Sequence, residues 1–158
     1  MSTVAHPPCG LYRTTQPLEG IPAGRLVYFH NHGDPGAGIY LPSGWSLNRA
    51  RWHERGNTVP GPEWSSTLAP LPPEGLYRVR ETFFCCSQRC REFPTDAMVQ
   101  LGYDGEGTAI LFVPEWTPQG LGFPERGARL DAGQLQHLAL LHVAASAQAP
   151  AGPTHLLH

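Results

Sequence analysis

Apolar positions come in short runs cut by turn residues. "GRLVYFH" and "GIYLP" flank "NHGDPGA", and "AMVQLGY" and "AILFVPEW" flank "DGEG". Such runs, bounded by Gly, Pro, Asn and Asp, predict β-hairpins, and Asp-Gly is a strong short-range hairpin signal. Prolines directly after "YL" and "FV" suit strand ends, because proline cannot donate to a ladder. Near-helical spacing appears in "DAGQLQHLALLHV", where Asp131 is a candidate N-cap before Leu135, Leu138 and Leu141. A short helix or turn followed by a strand is expected there.

The hairpins belong to a larger internal pattern. "GLYR" stands at residues 10–13 and again at 75–78, and "VYFHNHGDPGAGIYLP" (27–42) aligns without a gap on "VQLGYDGEGTAILFVP" (99–114). One residue of shift then sets Trp45 on Trp116, Trp52 on Phe123, and "ERG" (54–56) on "ERG" (125–127). Shared order at a nearly constant offset predicts two copies of one unit.

This divides the chain into an N-terminal arm (1–9), a first β repeat (10–56), a proline-rich connector (57–74), a second β repeat (75–130), a short helix or strand (131–145) and a tail (146–158). The connector should be extended, in part polyproline II. A hairpin alone is marginal in water and a unit this small has little interior. The two copies should therefore pack together as one compact domain. The expected fold is mainly β: a pseudo-twofold duplicated antiparallel unit forming a barrel, a sandwich or two small barrel-like lobes. Leu26, Val27, Phe29, Ile39 and Leu41, with Val99, Leu101, Leu111 and Val113, should supply its core.

Composition adds restraint rather than direction. The 17 prolines and 18 glycines of the 158 residues mark a turn-rich protein, and a net charge of −2 removes the global basic field of a general nucleic-acid binder. No stretch is long and apolar enough for a membrane span, and "MSTVAHPPCG" lacks the features of a secretory signal, so a cytoplasmic protein with reduced thiols is expected. Phosphate-binding loops, dinucleotide fingerprints and serine elbows are absent, and "HNH" lacks a nuclease context.

Positions that differ between the copies are the better functional leads. His30 and His32 align with Gly102 and Asp104, so the hairpin itself does not require imidazole. Alternation puts both on one face if the strand reaches that far, where they could ligate zinc, iron or another transition metal, with Asp34 or His53 completing the site. Against this stands a plain turn role, supported by Asn31, Gly33, Asp34 and Pro35. "GRLVYFHNH" resembles the first half of the metal-binding cupin signature over nine residues. "GDPGAG" then replaces the acidic ligand and no second motif follows, so no family assignment is drawn from it.

The second copy is longer between its "GLYR" and its hairpin, and that insertion holds "CCSQRC". Cys85, Cys86 and Cys90 are soft-metal donors, with Cys9 or a histidine as a further ligand. Arg89 and Arg91 would make Cys90 a candidate reactive thiol, while burial would leave these cysteines inert.

The third difference is "NRARWHERG". On a strand, Arg49, Arg51, His53 and Arg55 would share one face, opposite Ala50 and Trp52, as a strip for an anionic ligand or nucleic acid, or a solvated surface. Arg49, Arg51, Trp52, His53 and Arg55 are thus the candidate ligand-binding residues. The function expected from these features is a non-catalytic binding or assembly module, recognising a protein, another copy of itself or an anionic ligand. The alternative is a small metal- or thiol-dependent enzyme.

Overall fold

The computed structural model describes residues 4–144; the expected tail at 146–158 and the first residues of the arm lie outside the described residues. The chain is mainly β, with 40% strand and 7% helix, arranged as several antiparallel sheets.

In chain order the first elements are β1 (Gly10–Arg13), β2 (Leu26–His30), β3 (Gly38–Tyr40), β4 (Pro42–Ser46), β5 (Arg49–Trp52), β6 (Asn57–Thr58), the one-turn helix α1 (Pro62–Ser65) and β7 (Ala69–Pro70). There follow β8 (Gly75–Val79), β9 (Phe83–Phe84), β10 (Glu92–Phe93), β11 (Met98–Tyr103), β12 (Ala109–Phe112), β13 (Glu115–Thr117), β14 (Gly120–Gly122) and β15 (Ala128–Arg129). A 3-10 helix (Ala132–His137) and β16 (Leu138–Leu140) complete the set. Asp131 occupies the N-cap position without a side-chain capping bond.

Two five-stranded sheets carry the fold, ordered β6-β3-β2-β1-β7 and β15-β12-β11-β8-β16. Their registers correspond residue for residue. Gly10 lies opposite Phe29 and Gly75 opposite Leu101; Phe29 pairs Ile39 and Leu101 pairs Leu111; Ile39 pairs Asn57 and Leu111 pairs Ala128. Even outlying bonds match: Tyr12 OH donates to Pro8 O as Tyr77 OH does to Pro73 O, and Leu71 N–H donates to Leu11 O as Leu141 N–H does to Leu76 O.

No sheet closes into a barrel, which removes that alternative. The apolar residues also form two clusters rather than one. Val27, Phe29 and Ile39 are buried under the first sheet with Leu18, Ile21, Val59 and Leu68, and Leu41 packs against them. Val99, Leu101 and Leu111 are buried under the second with Phe83, Phe93 and Leu130, and Val113 packs alongside. Leu26 and Ala50 cross over and join the second cluster.

The connector is likewise not a free extended linker. Its ends supply β6 and β7, the two edges of the first sheet, with a helical turn between them, because its backbone N–H and C=O groups complete an otherwise open sheet.

The crossing contact is the β4–β5 hairpin. Trp45 pairs Ala50 across it, and Trp52 lies two residues beyond Ala50 on the same face. That face packs on the second sheet. Trp45 Nε1 donates to Tyr103 O (2.8 Å), Gln100 Nε2 to Leu47 O (3.0 Å), Asn48 Nδ2 to Gln100 Oε1 (3.0 Å) and Ala50 N–H to Glu74 Oε2 (2.9 Å). The turn comes so near β11 that a Cβ at Gly102 would lie 2.7 Å from Asn48 O. Only glycine fits there.

Burial pushes the Glu74 carboxyl above its usual range, against the lowering effects of the Ala50 amide and the Arg49 guanidinium. With a folded pKa above the unfolded one, this group's stability contribution is fullest below the unfolded value and is lost as pH rises through the folded one. Glu74→Gln keeps an oxygen for Ala50 N–H but cannot ionise. Urea midpoints from about pH 4 to about pH 7 should shift in the variant's favour relative to wild type; a constant difference would show that the carboxyl does not titrate differently on folding. For the core, Leu101→Ala removes a fully buried side chain and is expected to cost about 2–5 kcal/mol in urea unfolding.

Candidate metal-ligating clusters and the arginine strip

The arm brings Cys9 alongside the end of β2. Because Gly10 pairs Phe29, the residue before β1 falls beside the residue after Phe29. Cys9 Sγ lies 3.6 Å from His30 Nδ1, and Cys9, His30 and His32 can present donor atoms that all lie within 4.8 Å of one another. His30 ends β2 and is buried, whereas Cys9 and His32 are exposed. β2 stops before His32, yet the two rings remain close, with centroids 4.0 Å apart.

Asn31 organises this cluster. Its backbone N–H donates to Cys9 Sγ (3.3 Å), its Nδ2 donates to Pro7 O (3.1 Å), and its Oδ1 lies 2.7 Å from His32 Nδ1. The arm is fixed further by His6 Nδ1, 2.7 Å from Ser65 Oγ. Neither Asp34 nor His53 belongs to the group: the third donor is Cys9. Sequence spacing links Cys9 only to the other cluster, because its place here depends on the β1–β2 register.

Cys85, Cys86 and Cys90 form a second compact group, with Sγ–Sγ distances of 3.6 Å for Cys85–Cys86 and 3.7 Å for Cys86–Cys90. The segment is a turn rather than a helix: Cys85 N–H donates to Arg91 O and Arg89 N–H to Cys86 O. All three are free thiols; Cys85 is buried and Cys90 exposed.

The thiol favoured for ionisation is Cys86, not Cys90. Backbone amides of Cys90 and Gln88 and the Cys85 thiol lower the Cys86 pKa, the Cys90 amide most. Bonding to Cys86 and repulsion from it raise the Cys90 pKa. The expected activation by arginine fails for a geometric reason: Arg89 lies over the Phe84 ring at 5.0 Å and Arg91 over the Phe93 ring at 5.7 Å.

The arginine strip is shorter than the sequence pattern implies. β5 alternates as expected, exposing Arg49 and Arg51 while Ala50 is buried and Trp52 half-buried. The strand ends at Trp52; His53 N–H bonds Leu41 O and the chain bends, so His53 and Arg55 do not continue the face. Trp52 faces inward and lies against Tyr28, the rings tilted at 54° with centroids 5.8 Å apart. Among the described residues, the ion pairs are Arg78–Asp96, Arg129–Asp104 and His137–Glu81, and none involves Arg49, Arg51 or Arg55.

No helix among the described residues is long and apolar enough to cross a membrane. No protein-family profile matches the chain, and neither a curated protein nor a solved structure matches it.

The thiol order has a direct consequence. As pH rises, Cys86 should become a thiolate before Cys90, because its pKa is lowered and that of Cys90 raised. Limited alkylation of the reduced protein at about pH 7–8, read by peptide mass mapping, should label Cys86 ahead of Cys90. The reverse order would refute the assignment.

Proposed function

We propose that the protein is a non-catalytic assembly module: a duplicated antiparallel β unit that associates with a second copy of itself through the β13–β14 hairpin. The matching registers of the two five-stranded sheets support the duplication. The observation that carries the assembly reading is the unequal fate of the two outlying hairpins.

In β13–β14, Trp116 pairs Leu121, and Phe123 follows directly after the last residue of β14. These positions correspond to Trp45, Ala50 and Trp52 of β4–β5. The first set is partly covered by the second sheet, with Ala50 8% exposed and Trp45, whose indole N–H is bonded to Tyr103 O, 45%; in the second, Trp116 is 84%, Leu121 44% and Phe123 37% exposed. Aromatic and aliphatic side chains on one face of a hairpin are interface material, and the docked sister shows what such a face does when covered.

A second copy supplies the cover. Head-to-tail docking onto the first sheet of another chain would place the incoming turn where Gly102 admits Asn48, but the corresponding residue there is His30, which carries a Cβ and side chain at a position where a Cβ on Gly102 would clash. The favoured arrangement is therefore face to face and two-fold, Trp116 against the partner's hairpin. Exposed Glu115, Glu125 and Arg126 flank the apolar centre with both signs of charge, which suits a self-complementary rim.

Light scattering after size exclusion should give a concentration-dependent dimer. Trp116→Ser with Leu121→Thr should leave a monomer with unchanged far-ultraviolet circular dichroism. A wild-type monomer at all concentrations, or a dimer indifferent to both substitutions, overturns the proposal; open-ended assembly overturns its two-fold geometry.

A further inference from the structure

We propose that Cys9, His30 and His32 form a binding site for a borderline-soft divalent metal ion, zinc above others. This goes beyond the assembly reading and does not depend on it, since none of these residues lies on the β13–β14 hairpin.

The donor set is chemically apt. One thiolate and two neutral imidazoles are ligands that zinc and its neighbours in the first transition row prefer over the oxygen-rich sets of calcium or magnesium. The spacing is apt as well. With Zn–S near 2.3 Å and Zn–N near 2.05 Å, a tetrahedral centre separates sulfur from nitrogen by about 3.6 Å. Cys9 Sγ and His30 Nδ1 are 3.6 Å apart, and the third donor lies within the 4.8 Å limit of the group.

The supporting contacts hold both exposed donors through one residue, Asn31. Asn31 N–H donates to Cys9 Sγ at 3.3 Å and Cys9 Sγ donates to Asn31 Oδ1 at 3.2 Å, so the same residue holds the sulfur in place from both sides. Asn31 Oδ1, 2.7 Å from His32 Nδ1, accepts a ring N–H and orients the imidazole. The donors come from separate places, the arm before β1, the last residue of β2 and the turn after it. A metal ion there would tie the arm to the sheet. Three protein donors leave a fourth position for water or an incoming group, and exposed Cys9 and His32 put that position at the surface.

The site also differs from its surroundings in a way that isolates it. On the second sheet the corresponding residues are Glu74, Gly102 and Asp104, and they do other work: Glu74 accepts Ala50 N–H, Gly102 admits the β4–β5 turn, and Asp104 Oδ1 accepts the Glu106 and Thr108 amides. Only the first sheet carries soft donors at these positions.

The test is titration of the reduced, metal-stripped full chain with cobalt(II), followed by displacement with zinc(II). Expected are one equivalent bound, a thiolate-to-cobalt charge-transfer band in the near ultraviolet and intense visible bands of a tetrahedral ion. Cys9→Ser should abolish the charge-transfer band and His32→Ala should change the visible bands. Asn31→Ala should weaken binding by about 10- to 100-fold. Both ligand substitutions fall at exposed residues, and circular dichroism establishes that each variant is folded; the result does not hang on His30, whose replacement in the sheet could unfold it. Cys86→Ser with Cys90→Ser separates the other thiol group and should leave the spectrum intact. Absence of cobalt binding by the folded chain overturns the proposal, as does binding that survives Cys9→Ser or is lost with Cys86→Ser and Cys90→Ser.

Discussion

The molecule depends on the seating of one hairpin. β4 and β5 leave the first sheet and lie on the second, and the contact buries backbone groups that water would otherwise satisfy. Each named one has a partner: Ala50 N–H on Glu74, Leu47 O on Gln100, Tyr103 O on Trp45, and Leu26 N–H on Gly105 O. An unpaired buried amide costs on the order of 1–3 kcal/mol, so these bonds set the geometry of docking more than they add net stability. Among the described residues, no buried side-chain nitrogen or oxygen lacks a partner. Apolar burial by Leu26 and Ala50 supplies attraction, and the polar pairs fix its register.

That seating explains why equivalent places on the two sheets carry different residues. A glycine at 102 is demanded by Asn48 O, and a side-chain acceptor oxygen at 74 is demanded by Ala50 N–H. Free of both demands, the first sheet places an imidazole at 30 and a thiol at 9. A backbone position that must admit the carbonyl of another segment cannot also hold a large side chain, so the second sheet takes the docked hairpin while the first carries the Cys9, His30 and His32 cluster. The cysteine turn stands apart from this division, because it lies in the inserted segment, where turn amides rather than sheet register decide which thiol ionises.

Local pattern was legible where local rules operate. The alternation in "RARW" gave the exposed Arg49 and Arg51 and the inward Ala50 and Trp52, and the apolar runs gave the strand centres that are now buried. Less legible were features set by what the chain meets far away. His53 and Arg55 read as a continuation of β5, but the Leu41 carbonyl ends the ladder at His53. Cys9 looked unattached because its neighbour is chosen by which strand β1 pairs with. The arginines near Cys90 looked activating until the Phe84 and Phe93 rings were seen to hold them. A proline-rich stretch read as a spacer became two sheet edges, since unpaired strand edges recruit whatever backbone lies near.

The free hairpin shows the cost of leaving such a contact unmade. Two strands with one apolar face are marginal in water. β13–β14 holds together through its short ladder and through Thr117, whose Oγ1 donates to Gly120 O and accepts from Gln119 N–H. Its sister gains the sheet beneath it, where Ala50 and the half-buried Trp52 leave water. At about 25 cal/mol per Å² of apolar surface removed from water, covering Trp116, Leu121 and Phe123 is the largest stabilisation still open to this hairpin. The arrangement leaves Trp116 and Leu121 exposed on a hairpin whose strand pairing is already made. For the proposed association the ordering cost would be small, because the pairing is made before a second copy arrives, and preorganisation of that kind favours a specific contact over a loose one.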